Sequence, residues 1–139
     1  MTPAERYVHF FCQLTPASLA EIAPLFAADA RFKDPFNDVR GIEAIRRVFE
    51  HMFAITELSR FDIIQYATHD NCLLILWHYE FKARDSKLAG IIPGTSVVYF
   101  NADGKVQEHV DYWDPAEHVY AKVPILKTLM AWLRQRISA

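Results

Sequence analysis

Five ionisable side chains stand where they can do acid–base work: Asp34, His78, Glu80, His109 and Asp111. His109 and Asp111 lie two residues apart in the stretch GKVQEHVDYWDPAE, and His78 and Glu80 repeat that spacing in the apolar run CLLILWHYEFK. On a strand, alternate residues share a face, so each pair sits on one side about 7 Å apart. An unpaired charge hidden from water costs several kcal/mol, so ionisable groups among apolar neighbours point to a lined pocket. Histidine titrates near neutrality and a buried carboxylate shifts toward it, which suits the set to proton transfer. The same residues also fit a hydrogen-bonded network that merely fills a polar cavity. Their spacing lacks the tight turn of a metal site, so neither a metal nor a cofactor is expected. Asp34 precedes Pro35, where it either faces the pocket or holds the amides of a turn. Asp114, before Pro115, Ala116 and Glu117, reads as a helix cap, Trp113 as a pocket wall, and Ser96 as a donor of one hydrogen bond.

The elements that carry these residues follow from periodicity. Thr2-Pro3-Ala4-Glu5 is a capping box with proline at the first helical position, predicting a helix to about Leu14 with Tyr7, Phe10, Phe11 and Leu14 inward. Thr15-Pro16-Ala17-Ser18 restarts a second helix, which Pro24 bends or shortens. A short strand is expected over Ala30 to Asp34, then a helix after Gly41 with Ile42, Ile45, Val48, Phe49, Met52 and Phe53 on one face. Period-two alternation predicts strands over Phe61 to Thr68, Cys72 to Lys82, Thr95 to Phe100 and Val106 to Trp113, paired as an antiparallel meander. A last helix follows Pro124. Helices followed by a curved sheet make an α+β fold. In Cys72 to Lys82 the ionisable set, with His78 and Glu80, is expected to face the helices. The aromatic set, with Trp77, Tyr79 and Phe81, is expected outside, forming a convex face for a homodimer.

At 139 residues the chain is expected to be one domain, burying roughly two thirds of its unfolded surface. Its 52% hydrophobic content supports a full core, and a net charge of -2 argues against nucleic acid. Cys12 and Cys72 lack metal-type spacing and read as reduced core residues, favouring a cytoplasmic location. The start MTPAERYVHFF has no signal-peptide pattern, and no apolar run is long enough to span a bilayer. Lys127, Arg134 and Arg136 beside Trp132 are too few for membrane anchoring, so the final helix is expected to pack over the domain or a partner.

The run FAADARFKDPFNDVRGIEAIRRVF resembles the segment of ketosteroid isomerases in which an acidic residue directly before proline is the catalytic base. GKVQEHVDYWD resembles the last strand of limonene epoxide hydrolases and SnoaL-like polyketide cyclases, in which an acidic residue activates water or a substrate C–H. All belong to the nuclear transport factor 2-like superfamily. The resemblance covers nearly the whole chain and implies a cone-shaped, cystatin-like roll: N-terminal helices on a curved, mostly antiparallel sheet, and a C-terminal helix. It implies that Asp34 holds the isomerase base position and Asp111 that of the hydrolase aspartate, with His78 and Glu80 at the hydrolase Arg and second Asp. Phe10 and Ser96 fall where isomerases carry their oxyanion donors, and Tyr7 lies one turn before Phe10. With Phe53 and Trp113 these would contact the ligand. The expected function is an acid–base isomerase or hydrolase acting on a small, largely apolar or polycyclic molecule. The alternative is a non-catalytic ligand-binding or protein-interaction domain.

Overall fold

The computed structural model describes residues 1–120 and 124–138. Helix α1 (Pro3–Cys12) starts on the expected capping box: Thr2 N donates to Glu5 Oε2 at 2.7 Å and Glu5 N to Thr2 Oγ1 at 3.1 Å. Its buried side presents Ala4, Tyr7, Val8, Phe10 and Phe11. Thr15 and Ser18 exchange a similar reciprocal pair, but only a 3-10 turn (Ala17–Glu21) and the single turn α2 (Ile22–Leu25) follow. Pro24 withholds an amide, and the chain passes straight into strand β1 (Phe26–Lys33), which begins earlier than expected. A short β2 (Asp38–Arg40), unexpected from the sequence, then pairs with β1, with two hydrogen bonds from the Arg31 guanidinium to Asp38.

Gly41 adopts φ +91°, a conformation that favours glycine, and opens helix α3 (Ile42–Ile55), whose Ile45 and Phe49 are buried. The remaining strands are β3 (Thr56–His69), β4 (Cys72–Ala83), β5 (Ala89–Phe100) and β6 (Val106–Tyr112). They pair antiparallel in sequence order, and β6 pairs parallel to β1, giving a six-stranded sheet in the order β2-β1-β6-β5-β4-β3. Asp114 caps the single turn α4 (Pro115–His118) by accepting from Ala116 N and Glu117 N, as its position before proline predicts. Helix α5 (Pro124–Ile137) closes the chain, with Arg136 over the Trp132 ring. The fold is the expected α+β class, with helices on a curved, mostly antiparallel sheet.

The faces of β4 are the reverse of the expectation. Leu73, Ile75, Trp77 and Phe81 are buried beneath the helices with Tyr79 beside them, whereas Leu74, Leu76 and His78 are exposed and Glu80 is half-buried on the outer side. The reason is the balance of burial energies. The inner row buries more apolar surface, and its rings stack, with Phe61–Tyr79 centroids 4.7 Å apart and Tyr79–Phe81 5.7 Å apart. Putting His78 and Glu80 inward instead would strip two ionisable groups of water. Outside, Glu80 lies 3.7 Å from Arg60 across the β3–β4 ladder. The aromatic row therefore belongs to the core. The outer sheet surface instead presents Leu74, Leu76, Ile91, Tyr99 and Tyr112.

Candidate active site

Strand β6 brings His109 and Asp111 to the inner face, opposite Val98 and Ser96 of β5. His109 is 1% exposed, wedged between aromatic rings, and stacks on Phe32 of β1 with centroids 4.7 Å apart. Such a residue needs partners on both ring nitrogens, and it has them. Tyr7 Oη lies 2.7 Å from His109 Nδ1, and His109 Nε2 lies 2.6 Å from Asp111 Oδ1. From the other side Ser96 Oγ donates to the same Asp111 oxygen, and Trp77 Nε1 donates to Ser96 Oγ at 2.8 Å.

The indole end of this chain fixes the direction of its protons. An indole N–H only donates, so the Ser96 hydroxyl accepts from Trp77 and spends its own hydrogen on Asp111. At the other end, burial first and the charge of Asp111 second push the Tyr7 phenol well above its ordinary range, so it keeps a proton that it can donate to Nδ1. With Tyr7 donating to Nδ1, the hydrogen on the His109 Nε2 side is the one given to Asp111. Both relays end on Oδ1 of Asp111. Its second oxygen, Oδ2, makes no hydrogen bond among the described residues.

That second oxygen belongs to a side chain lining a hollow of about 450 Å³ between helices and sheet. Phe11, Phe32, Phe49, Phe61, Trp77, Tyr79 and Trp113 supply rings to its wall, and Asp34, Asn37, His51 and Thr56 supply its other polar groups. A cavity of this size, mostly apolar with a few placed polar groups, is the usual form of a small-molecule site. Burial raises the Tyr79 phenol, with an opposing hydrogen bond to Ser59 Oγ. Asp34 lines the hollow and holds the turn as well: its Oδ1 accepts from Phe36 N, Asn37 N and Asn37 Nδ2, and its Oδ2 accepts from Asn37 Nδ2 at 3.1 Å.

The sequence-derived set is thus brought together only in part. Asp34, Asp111 and Trp113 line the hollow, while His109 stands behind Asp111. His78 and Glu80 lie on the outer face, because β4 turns its aromatic row inward. Of the expected ligand contacts, Ser96 and Tyr7 sit behind the carboxylate as donors. Phe10 is core at 2% exposure, and Phe53 borders a separate cavity with Pro16, Arg46 and Glu50. Trp77 is the partner that residue types alone did not assign. A methyl at Gly94 would come within 2.2 Å of its ring, so the indole lies directly over that glycine on its way to Ser96. A lone glycine inside a strand is a signal of such close approach.

Residues 4–109 match the family model of the SnoaL-like domain. The chain belongs to the SnoaL-like domain family. No curated protein matches this SnoaL-like chain. Among solved structures it is similar to a candidate SnoaL-like polyketide cyclase from Shewanella putrefaciens CN-32, with TM-score 0.73, 17% identity, and coverage of 90% of this chain and 98% of that one. It is also similar to a hypothetical protein with a ketosteroid isomerase-like fold from Catenulispora acidiphila DSM 44928, in complex with trimethylamine: TM-score 0.72, 17% identity, 89% and 95% coverage. A third is a candidate isomerase of the SnoaL-like family from Agrobacterium tumefaciens C58, with TM-score 0.65, 20% identity, and 81% and 94% coverage. At these identities the likeness is one of fold.

Proposed function

We propose that this SnoaL-like protein is a general acid–base catalyst that shifts a proton next to a carbonyl in a small, largely apolar molecule. The observation that carries this reading is Asp111: one oxygen is engaged by His109 and Ser96, and the other has no partner among the described residues, on a side chain lining the hollow. Oδ2 takes the α C–H proton, the C–H pair becomes a C=C bond while the carbonyl π pair moves onto oxygen to give an enolate, and the proton returns from Oδ2 to the α-carbon or, where a further C=C is conjugated with the enolate, to its γ-carbon as the C=O bond re-forms. The relays keep Oδ1 an acceptor throughout, so the incoming proton has one place to go. Trp113 is the donor for the enolate oxygen, since it lines the same hollow and its indole N–H makes no hydrogen bond among the described residues. Isomerase or cyclase chemistry is favoured over epoxide hydrolysis, because His78 and Glu80, at the positions of the hydrolase's further polar groups, point away from the pocket.

The test is exchange of α-protons for deuterium in a panel of aryl and alicyclic ketones, followed by NMR. The protein is expected to accelerate exchange in some members, and Asp111→Asn to abolish it while circular dichroism stays unchanged. Ligand-induced shifts without exchange in any member would leave the non-catalytic binding domain as the function. For this chain, the trimethylamine of the Catenulispora neighbour adds a tertiary amine to the probes worth including.

We also propose that two copies associate through the outer sheet surface, where Leu74 and Leu76 are each 47% exposed and Tyr112 is 61% exposed. A row of this kind on β4 and β6, bridged by Ile91 and Tyr99 of β5, fits a self-complementary contact.

A further inference from the structure

The hollow is unbalanced in charge. Asp34 and Asp111 both line it, and among the described residues no lysine or arginine does; the nearest thing to a cation among them is the exposed His51. Both carboxylates are held by donors that suit the ionised form. Asp34 accepts two backbone amides and a side-chain amide, and Asp111 accepts from Ser96 and His109. Aromatic rings cover much of the remaining wall, including Phe36, two residues after Asp34, and Trp113, whose ring centroid is 5.6 Å from that of Phe36. Negative charge together with ring faces is the chemistry that recognises ammonium groups, and it repels carboxylates and phosphates.

We propose that the pocket takes an apolar molecule bearing a tertiary or quaternary amine, with the ammonium held toward Asp34, Phe36 and Trp113 and the reacting C–H toward Asp111. This rests on the reading of Asp111 as the base and explains a gap in it. Among the described residues the wall offers the enolate the Trp113 N–H but no lysine or arginine, so a positive charge carried by the substrate adds the compensation that this neutral donor does not supply.

Titration calorimetry of the full chain at low salt, with three probes of similar size, tests the inference: benzyltrimethylammonium, 4-phenylbutan-2-one and 3-phenylpropanoate. The ammonium is expected to bind at least about tenfold more tightly than the ketone, and the carboxylate to give no heat. Asp34→Asn, which keeps an acceptor oxygen for the turn amides, is expected to narrow the ammonium-to-ketone ratio at least about threefold. A ketone that binds as tightly as the ammonium, or a carboxylate that binds as tightly as either, overturns the inference. If Asp34→Asn does not fold, the three-probe series on the unmodified chain decides alone. Ketone exchange that persists without ammonium preference removes this inference and leaves the base. Ammonium preference without exchange removes the base and leaves the binding class.

Discussion

Gly94→Ala should damage the site from behind. The new methyl would lie 2.2 Å from Trp77 Cη2, 2.5 Å from Cζ2 and 2.6 Å from Cζ3, all in the six-membered part of the indole. Ordinary contact needs about 3.4 Å or more, so the ring must move by about 1 Å within a close-packed wall. Such overpacking costs about 1–3 kcal/mol, and loss of the 2.8 Å bond from Trp77 Nε1 to Ser96 Oγ adds about 1 kcal/mol. Together these lower the melting temperature by about 6–15 °C for a domain of this size. The backbone at Gly94 does not require positive φ, so the cost is assigned to the ring alone. The decisive assay is a double-mutant cycle followed by thermal unfolding. In a Trp77→Phe background the shorter ring leaves room, and the same methyl should cost little, giving a coupling of at least about 1 kcal/mol. Equal losses in both backgrounds, or a melting temperature within about 2 °C of the parent, would refute the account of how the indole is seated.

Other outcomes follow from the same geometry. Because the Tyr7 phenol is raised in the fold, the native chain keeps a proton that the unfolded chain sheds above pH of about 10, so stability falls as pH rises beyond that point. Tyr7→Phe should flatten this alkaline loss in denaturant titrations. At pH 7 it should cost about 1–3 kcal/mol, because His109 Nδ1 is left buried without a donor. Thr2→Ala removes one half of the reciprocal cap on α1 and should cost about 1 kcal/mol by chemical denaturation. Leu76→Lys, on the outer face, should shift sedimentation toward monomer with little change in melting temperature; an unchanged sedimentation coefficient would count against association through that surface.

Much of the architecture was legible in the sequence because it depends on local signals. The Thr2–Glu5 cap, the α3 apolar stripe and the Asp114 cap each name their own element. The pairing of His109 with Asp111 was legible too, since residues two apart on a strand must share a face. The phase of β4 was not. Both of its rows begin with aliphatic residues, and nothing local says whether Trp77 or His78 faces the helices; that is decided by which row the helices can cover. Strand β2 escaped notice because it is only three residues long, follows the turn at Asp34 to Asn37, and pairs with β1 over just three residues. The donors behind Asp111 were the least visible part. Tyr7 lies 102 residues from His109, and Trp77 lies 19 from Ser96, so only the folded sheet brings them into line. Gly94 was the one local hint, since a glycine opposite an indole leaves room for the ring to lie flat.

The central claim is that two sets of donors converge on one oxygen of Asp111 and leave the other open to the hollow. Nitrogen-15 NMR of the His109 ring at pH 7 tests it most directly. The account predicts a neutral imidazole with its hydrogen on Nε2 and a bare Nδ1 accepting from Tyr7. An imidazolium, or the tautomer with its hydrogen on Nδ1, would contradict it.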